Sequence, residues 1–248
     1  MAMPEGSARQ HAVGGLAATL FQKDAAGAKA FVASLPAADW QDPSVFREFF
    51  RRWLKTEPEQ ATDVLLKRIP ADAHPSPEQQ AEYDQMFLSW ADSKPRAASE
   101  FLLKLAPEVR AKSLSRAVAS FCFDDPAGAA AWAGSLPAGS DRDKILGQVA
   151  ENWAKQGVAQ VTQWLDTLPA DSGKSAAVES FARTIISTSA DDALAWLRAV
   201  PDESDRLARL GRVWASWSDR EAARQWLENS PELTATEREA LRKLPAAK

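Results

Sequence analysis

The sequence predicts an all-α protein: a right-handed α-solenoid, or superhelix, of about seven helix-turn-helix repeats closed by a C-terminal capping helix. Two observations carry this. A fixed set of residue types recurs at near-constant spacing along the 248 residues, and the apolar residues between them follow the i, i+3, i+4, i+7 period of a helix. Nothing competes, since there is no sustained Val/Ile/Thr alternation and no Asn-Gly or Asp-Gly hairpin turn.

The repeat is anchored on seven helix starts, Asp24, Glu57, Lys94, Asp125, Gly157, Ser189 and Asp219, spaced 33, 37, 31, 32, 32 and 30 residues apart. Five of these are Asp, Ser or Gly, residues that cap a helix N-terminus. Pro58, Pro95 and Pro126 follow directly in three units, at the first helical position, where the missing N–H would have had no partner. Four residues after each start stands a small residue: Ala28, Ala61, Ala98, Ala129, Val161, Ala193 or Ala223. Seven after it stands a larger one: Phe31, Val64, Phe101, Trp132, Trp164, Trp196 or Trp226. These two positions share a helical face, so the small column is expected to let helices approach and the large column to fill the space between helix pairs.

Twelve or thirteen residues after each start a proline is expected to end the shorter helix: Pro36, Pro70, Pro107, Pro137, Pro169, Pro201 and Pro231. Four residues before six starts lie Leu20, Trp53, Trp90, Phe121, Trp153 and Ile185, and Trp214 lies five before the seventh. The longer helix ahead of each start shows in Leu114, Ala117, Val118 and Phe121, in Ile145, Val149 and Trp153, and in Leu207, Leu210, Trp214 and Trp217. The expected organisation is a polar leader at 1–10 and a single domain at 11–248, with units near 11–36, 37–70, 71–107, 108–137, 138–169, 170–201 and 202–231 and a cap at 232–248. The last helix is expected from roughly Thr234 to Lys243, with Leu241 and Leu244 reaching inward.

Composition narrows the function. Thirty Lys and Arg against 34 Asp and Glu give a net charge of −4, which argues against a nucleic-acid binder. No uncharged apolar window approaches the length of a membrane span. Ala12–Phe21 followed by Ala26-Gly27-Ala28 imitates an export signal, but Leu20 belongs to a core column of the repeat, so that reading is set aside. The compartment stays open between the cytoplasm and export with a signal peptide removed. The lone cysteine, Cys122, sits between Phe121 and Phe123 and reads as a buried structural thiol.

Signatures of chemistry are absent. The two histidines, His11 and His74, stand in polar stretches, and no HExxH, CxxC, EF-hand, phosphate loop or G-x-S-x-G elbow occurs, so neither cofactor nor metal is expected. Asp124-Asp125 and Asp191-Asp192 fall at helix starts and read as capping carboxylates. Eight of ten tryptophans lie at or beside the core columns; the exceptions are Trp40, the one expected to be exposed, and Trp217, expected to fill the irregular seventh turn.

One charged cluster stands out. Arg47, Arg51, Arg52 and Lys55 share the polar side of one helix, with Lys67, Arg68 and the Ala71–Pro77 insertion close by in sequence. Guanidinium groups bind carboxylates bidentately, so this face, with Trp40, suits docking of an acidic peptide or carboxylate; the alternative reading is an ordinary solvated helix face.

The aromatic–turn–Ala–aromatic–Pro order from about Leu16 to Pro231 resembles a tetratricopeptide-type helical hairpin, whose period is close to this one. The match is inexact: that family's Leu-Gly pair and first-helix Tyr are missing, and its Ala-to-aromatic and aromatic-to-Pro intervals are longer. The segment Asp125-Pro126 through Trp132 to Leu136-Pro137 also resembles the tandem D-P-x-x-A-x-x-W-x-x-x-L-P repeats of large uncharacterised bacterial proteins. Architecture and composition together lead to a non-enzymatic scaffold holding a peptide or protein on a concave face lined by the longer helices. The alternative is an all-α enzyme or enzyme subunit using carboxylates such as Glu48, Glu151 or Glu179, and a helical-repeat RNA reader comes third.

Overall fold

The computed structural model describes residues 7–36, 46–69 and 74–244. Among them it is all-helical, with fifteen helices and no strand. In chain order these are α1 (Ser7–Lys23), α2 (Ala25–Ser34), α3 (Arg47–Thr56), α4 (Pro58–Arg68), α5 (Pro77–Ser93), α6 (Pro95–Leu102), α7 (Pro107–Asp124), α8 (Pro126–Ser135), α9 (Ser140–Ala154), α10 (Val158–Thr167), α11 (Ser172–Ile185), α12 (Ala190–Leu197), α13 (Glu203–Ser216), α14 (Arg220–Asn229) and α15 (Ala235–Arg242). α1 begins inside the stretch read as a leader. The odd-numbered member of each pair is the longer one, except that α3 has 10 residues and α4 has 11.

All seven starts found in the sequence are the N-cap residues of the even helices α2 to α14. In the first four pairs that one residue is the whole connection. Asp24, Glu57, Lys94 and Asp125 each donate their N–H to the carbonyl four residues back, on Leu20, Trp53, Trp90 and Phe121, at 2.7–2.9 Å. Each also accepts at its own carbonyl from the residue four ahead, Ala28, Ala61, Ala98 or Ala129. The start residue thus ends one helix and begins the next, which fixes the −4 and +4 columns. At Glu57, Lys94 and Asp125 the following proline excludes the α region for the residue before it, and φ/ψ near −145°/70° breaks the helix there. Side-chain capping is less general than the residue types imply. Asp24, Asp125 and Asp219 accept from the N–H three residues on, whereas Ser189 makes no such bond.

Packing follows chain order within each of two compact units, residues 1–120 and 121–248. In the first, α1 packs on α2 and α3, α3 on α4 and α5, and α5 on α6. In the second, α9 packs on α8, α10 and α11, α11 on α12 and α13, and α13 on α15. The +4 column lies at the helix contacts, and all seven of its members are 0% exposed. One turn on, the +8 positions Val32, Leu65, Leu102, Ala133, Leu165, Leu197 and Leu227 are buried as well. The +7 column behaves differently from expectation: Phe101 and Trp132 are buried, but Phe31, Val64, Trp164, Trp196 and Trp226 are only half-buried. Position +8 falls four residues after +4 on the helix ridge, so it points into the core and leaves +7 on the flank. From there the rings stack inside their own hairpin on the preceding helix: Trp90 on Phe101, Phe121 on Trp132, Trp153 on Trp164, Phe181 on Trp196 and Trp214 on Trp226, with centroids 5.5–6.3 Å apart. Trp217 is buried against Trp214 and Trp226 in the irregular turn.

Close approach has a specific cause between α9 and α11. A Cβ on Gly147 would stand 2.8 Å from Ser180 Oγ, and one on Gly173 would stand 2.7 Å from both Arg142 Nη1 and Leu146 Cδ1. Arg142 is buried there and donates to Asp171 Oδ2 at 2.9 Å, while Asp171 Oδ1 caps α11 through the Lys174 N–H. Ahead of α9, Gly139 takes φ +152°, a conformation that residues with a Cβ avoid.

Three further expectations are corrected. Pro107 does not end a helix but opens α7, because α6 stops at Leu102 and a turn intervenes. Asp124 is the last residue of α7, so only Asp125 of that pair caps a helix start. Leu241 is buried but Leu244 is 38% exposed, lying over Gly211 just past the end of α15. Cys122 is buried, with its thiol directed at the Val149 carbonyl and pushed by burial up to about 11, whereas the adjacent Phe123 is 75% exposed.

Candidate interaction surface

The arginine cluster lies on the polar side of α3, opposite the buried Phe49, Phe50, Trp53 and Leu54. Its three arginines are drawn into the fold. Arg47 Nη1 donates to Glu82 Oε2 at 2.6 Å and to Gln85 Oε1 at 2.7 Å, tying α3 to α5. Arg51 and Arg52 both turn back to Glu48, at 2.6–2.9 Å. Burial alone would raise the Glu48 carboxyl, but hydrogen bonds from Arg52 and Arg51 outweigh it and hold the group below its ordinary value. Lys55 is exposed. Trp40, Pro70 and residues 71–73 of the insertion lie outside the described residues, as does the side chain of Arg68.

A groove of about 660 Å³ opens one helix further on, lined by Leu88 and Asp92 of α5 and by Lys112, Ser115, Arg116 and Ala119 of α7. The α5 pair is i, i+4, and the four α7 residues share one face, so one face of each helix makes a wall. Leu88 and Ala119 are half-buried and form the apolar part. Arg116 Nε donates to Asp92 Oδ1 at 2.6 Å, and Ser120 Oγ adds a bond to the same oxygen at 3.3 Å. Beneath, the buried Asp84 accepts from Ser113 Oγ at 3.1 Å and Gln80 Nε2 at 3.3 Å, and Gln80 also holds the Val109 carbonyl. Lys112 Nζ stands 3.8 Å from Asp84 Oδ2, outside hydrogen-bond distance. The sequence carried a signal for this site: Lys112 and Arg116 stand at i, i+4 on one helix, the same criterion that singled out Arg47–Lys55.

In the second unit the charged residues bind one another. Glu179 of α11 accepts from Arg209 Nη1 and from Arg212 Nε and Nη2 of α13, all at 2.8 Å, and Arg209 Nε reaches Asp205. Burial pushes Glu179 up, yet the guanidinium of Arg212, then those of Arg209 and Arg183, bring it below its ordinary value. Of the other acids considered for chemistry, Glu48 is engaged as above and Glu151 pairs with Lys155 at 2.7 Å. Asp191 is in the first turn of α12, where it accepts from Trp226 and Ser230 as well as lying near the helix N-terminus. Among the described residues no group of three or more His, Cys, Asp or Glu is placed to hold a metal ion. No helix among them is long and apolar enough to cross a membrane.

Comparison of the chain with protein-family models, with curated proteins and with solved structures returns no match.

Proposed function

We propose that the successive hairpins stack into a right-handed TPR-like α-solenoid of about seven units and that this solenoid is a non-enzymatic scaffold, holding a peptide or protein partner on a face formed by its longer helices. The observation that carries the reading is the open groove between two neighbouring long helices, walled by side chains of mixed polarity. A groove of this kind suits an elongated partner, and rigid spacing between repeats allows several such contacts to act together. The acidic-peptide preference rests on the positive charge of Arg47, Arg51, Arg52 and Lys55 with the cations of the groove: Lys55 is exposed, and the three arginines are half-exposed although each already meets an acidic or amide side chain.

The test is affinity capture from the source cell, identification of the retained protein, and titration of that purified protein against the full chain by calorimetry. Saturable binding of defined stoichiometry, weakened by Arg51→Ala with Arg52→Ala while the thermal melt stays in place, supports the scaffold. Failure of every retained protein to bind once purified overturns it.

A further inference from the structure

We propose that the groove between α5 and α7 is a docking point for a short peptide segment that pairs an acidic side chain with a neighbouring apolar one. The inference rests on the scaffold reading and narrows it to one place and one chemistry. Its starting point is unspent donors. Arg116 uses Nε on Asp92, and its Nη1–Nη2 edge makes no bond among the described residues. That edge is planar and matches a carboxylate bidentately. Lys112, with a side chain 71% exposed, has no acceptor within hydrogen-bond distance. The two stand one turn apart on α7, each already facing an acid, Asp92 at 2.6 Å and Asp84 at 3.8 Å, so what an incoming carboxylate meets is the donors still open on both side chains.

The remaining lining residues say what accompanies the carboxylate. Leu88 and Ala119 offer a half-buried apolar surface that a free anion would leave uncovered. Asp92 stands in the same wall, and the chain carries a net charge of −4, so a polyanion such as RNA meets repulsion that a single acidic side chain beside an apolar one avoids. Asp92 also orients Arg116: the 2.6 Å bond to Nε holds the guanidinium across the groove.

The probe is a fluorescein-labelled pool of N-acetylated, C-amidated decapeptides with a fixed Leu-x-Glu centre, titrated by anisotropy against the full chain. Control pools carry Leu-x-Gln or Ser-x-Glu. The Leu-x-Glu pool is expected to bind saturably, and both controls and the Lys112→Ala with Arg116→Ala variant to bind about tenfold more weakly or worse. The variant changes exposed positions, and an unshifted circular-dichroism melt shows that it folds. Equal binding of the three pools, equal binding by the variant, no binding by the wild type, or displacement by inorganic phosphate at the peptide's own concentration each overturns the proposal. So does tighter binding of a single-stranded RNA 20-mer than of the peptides. A captured protein partner that binds the variant as well as the wild type overturns the groove and leaves the scaffold reading standing, whereas the scaffold reading fails in the capture experiment alone.

Discussion

The Trp226 indole donates to Asp191 Oδ1 at 2.7 Å, joining α14 to the first turn of α12. The same oxygen takes Ser230 Oγ at 2.8 Å, and Ser230 is buried. The half-buried position of Trp226 therefore has a purpose, since a ring sunk in the core would not reach this acceptor.

Asp191→Ala should remove both bonds and cost about 1–2 kcal/mol, and Asp191→Asn, which keeps an acceptor oxygen, less than half of that. Urea denaturation followed by tryptophan fluorescence measures both. An alanine variant as stable as the wild type would mean that the Trp226 N–H is satisfied as well by water.

The core column at +8 yields a second expectation. Leu165 is fully buried and should cost about 2–5 kcal/mol on truncation to Ala. Trp164 beside it, half-buried, acts through its ring contact with Trp153 at 5.8 Å. A double-mutant cycle on Trp153 and Trp164 should give a coupling of about 0.5–1.5 kcal/mol. A coupling near zero would show that the two rings are stabilised separately by their surroundings.

The contrast between these columns explains what the sequence made legible. Asp24, Glu57, Lys94 and Asp125 were readable because one residue serves two helices at once, locking residue types four positions to either side, and Ser189 makes the same two backbone bonds. The buried +8 column was less visible than the tryptophans at +7, since Leu and Val are common everywhere and Trp is not. The arginine cluster read as a free basic face because an i, i+3 or i, i+4 acid such as Glu48 is easily discounted, and because Arg47 finds Glu82 only once α3 meets α5. The groove needs lining residues 20 or more positions apart in sequence, so only the packed chain brings Asp92 to Arg116.

Acid should weaken the protein through a few identifiable carboxylates. Glu237, buried in α15, takes the Thr234 N–H at 2.9 Å and Arg198 Nη2 at 3.1 Å. Burial would raise it, but the Arg198 and Thr234 bonds outweigh that and place it, like Glu179, below the ordinary value of 4.5. A lowered folded pKa means that the unfolded chain binds the proton first, so the stabilisation is complete above 4.5 and drains as pH falls through the lowered folded values. The urea midpoint of the wild type should fall across that window. Glu237→Gln should start lower at neutral pH and fall less steeply, and parallel acid slopes for the two proteins would refute the assignment.

Glycine substitutions separate packing from propensity. Gly173 and Gly134 both lie inside helices with negative φ, so backbone conformation is not what distinguishes them. A methyl group on Gly134 meets nothing within 4 Å, and Gly134→Ala should stabilise by about 0.5–1 kcal/mol by removing backbone freedom from the unfolded chain. The same change at Gly173 puts carbon 2.7 Å from Arg142 Nη1 and from Leu146 Cδ1, and 3.1 Å from Asp143 Oδ1. Leu146 has a packed core around it and Arg142 is held by Asp171, so neither side chain yields without loss. Gly173→Ala should therefore destabilise by about 1–3 kcal/mol despite its gain in helix propensity. Pairing it with Arg142→Ala should recover part of the steric loss while leaving Asp171 to act only as a cap. Thermal melts of the four proteins decide it: equal and positive shifts for both alanines would mean that α9 and α11 are not in close contact at Gly173.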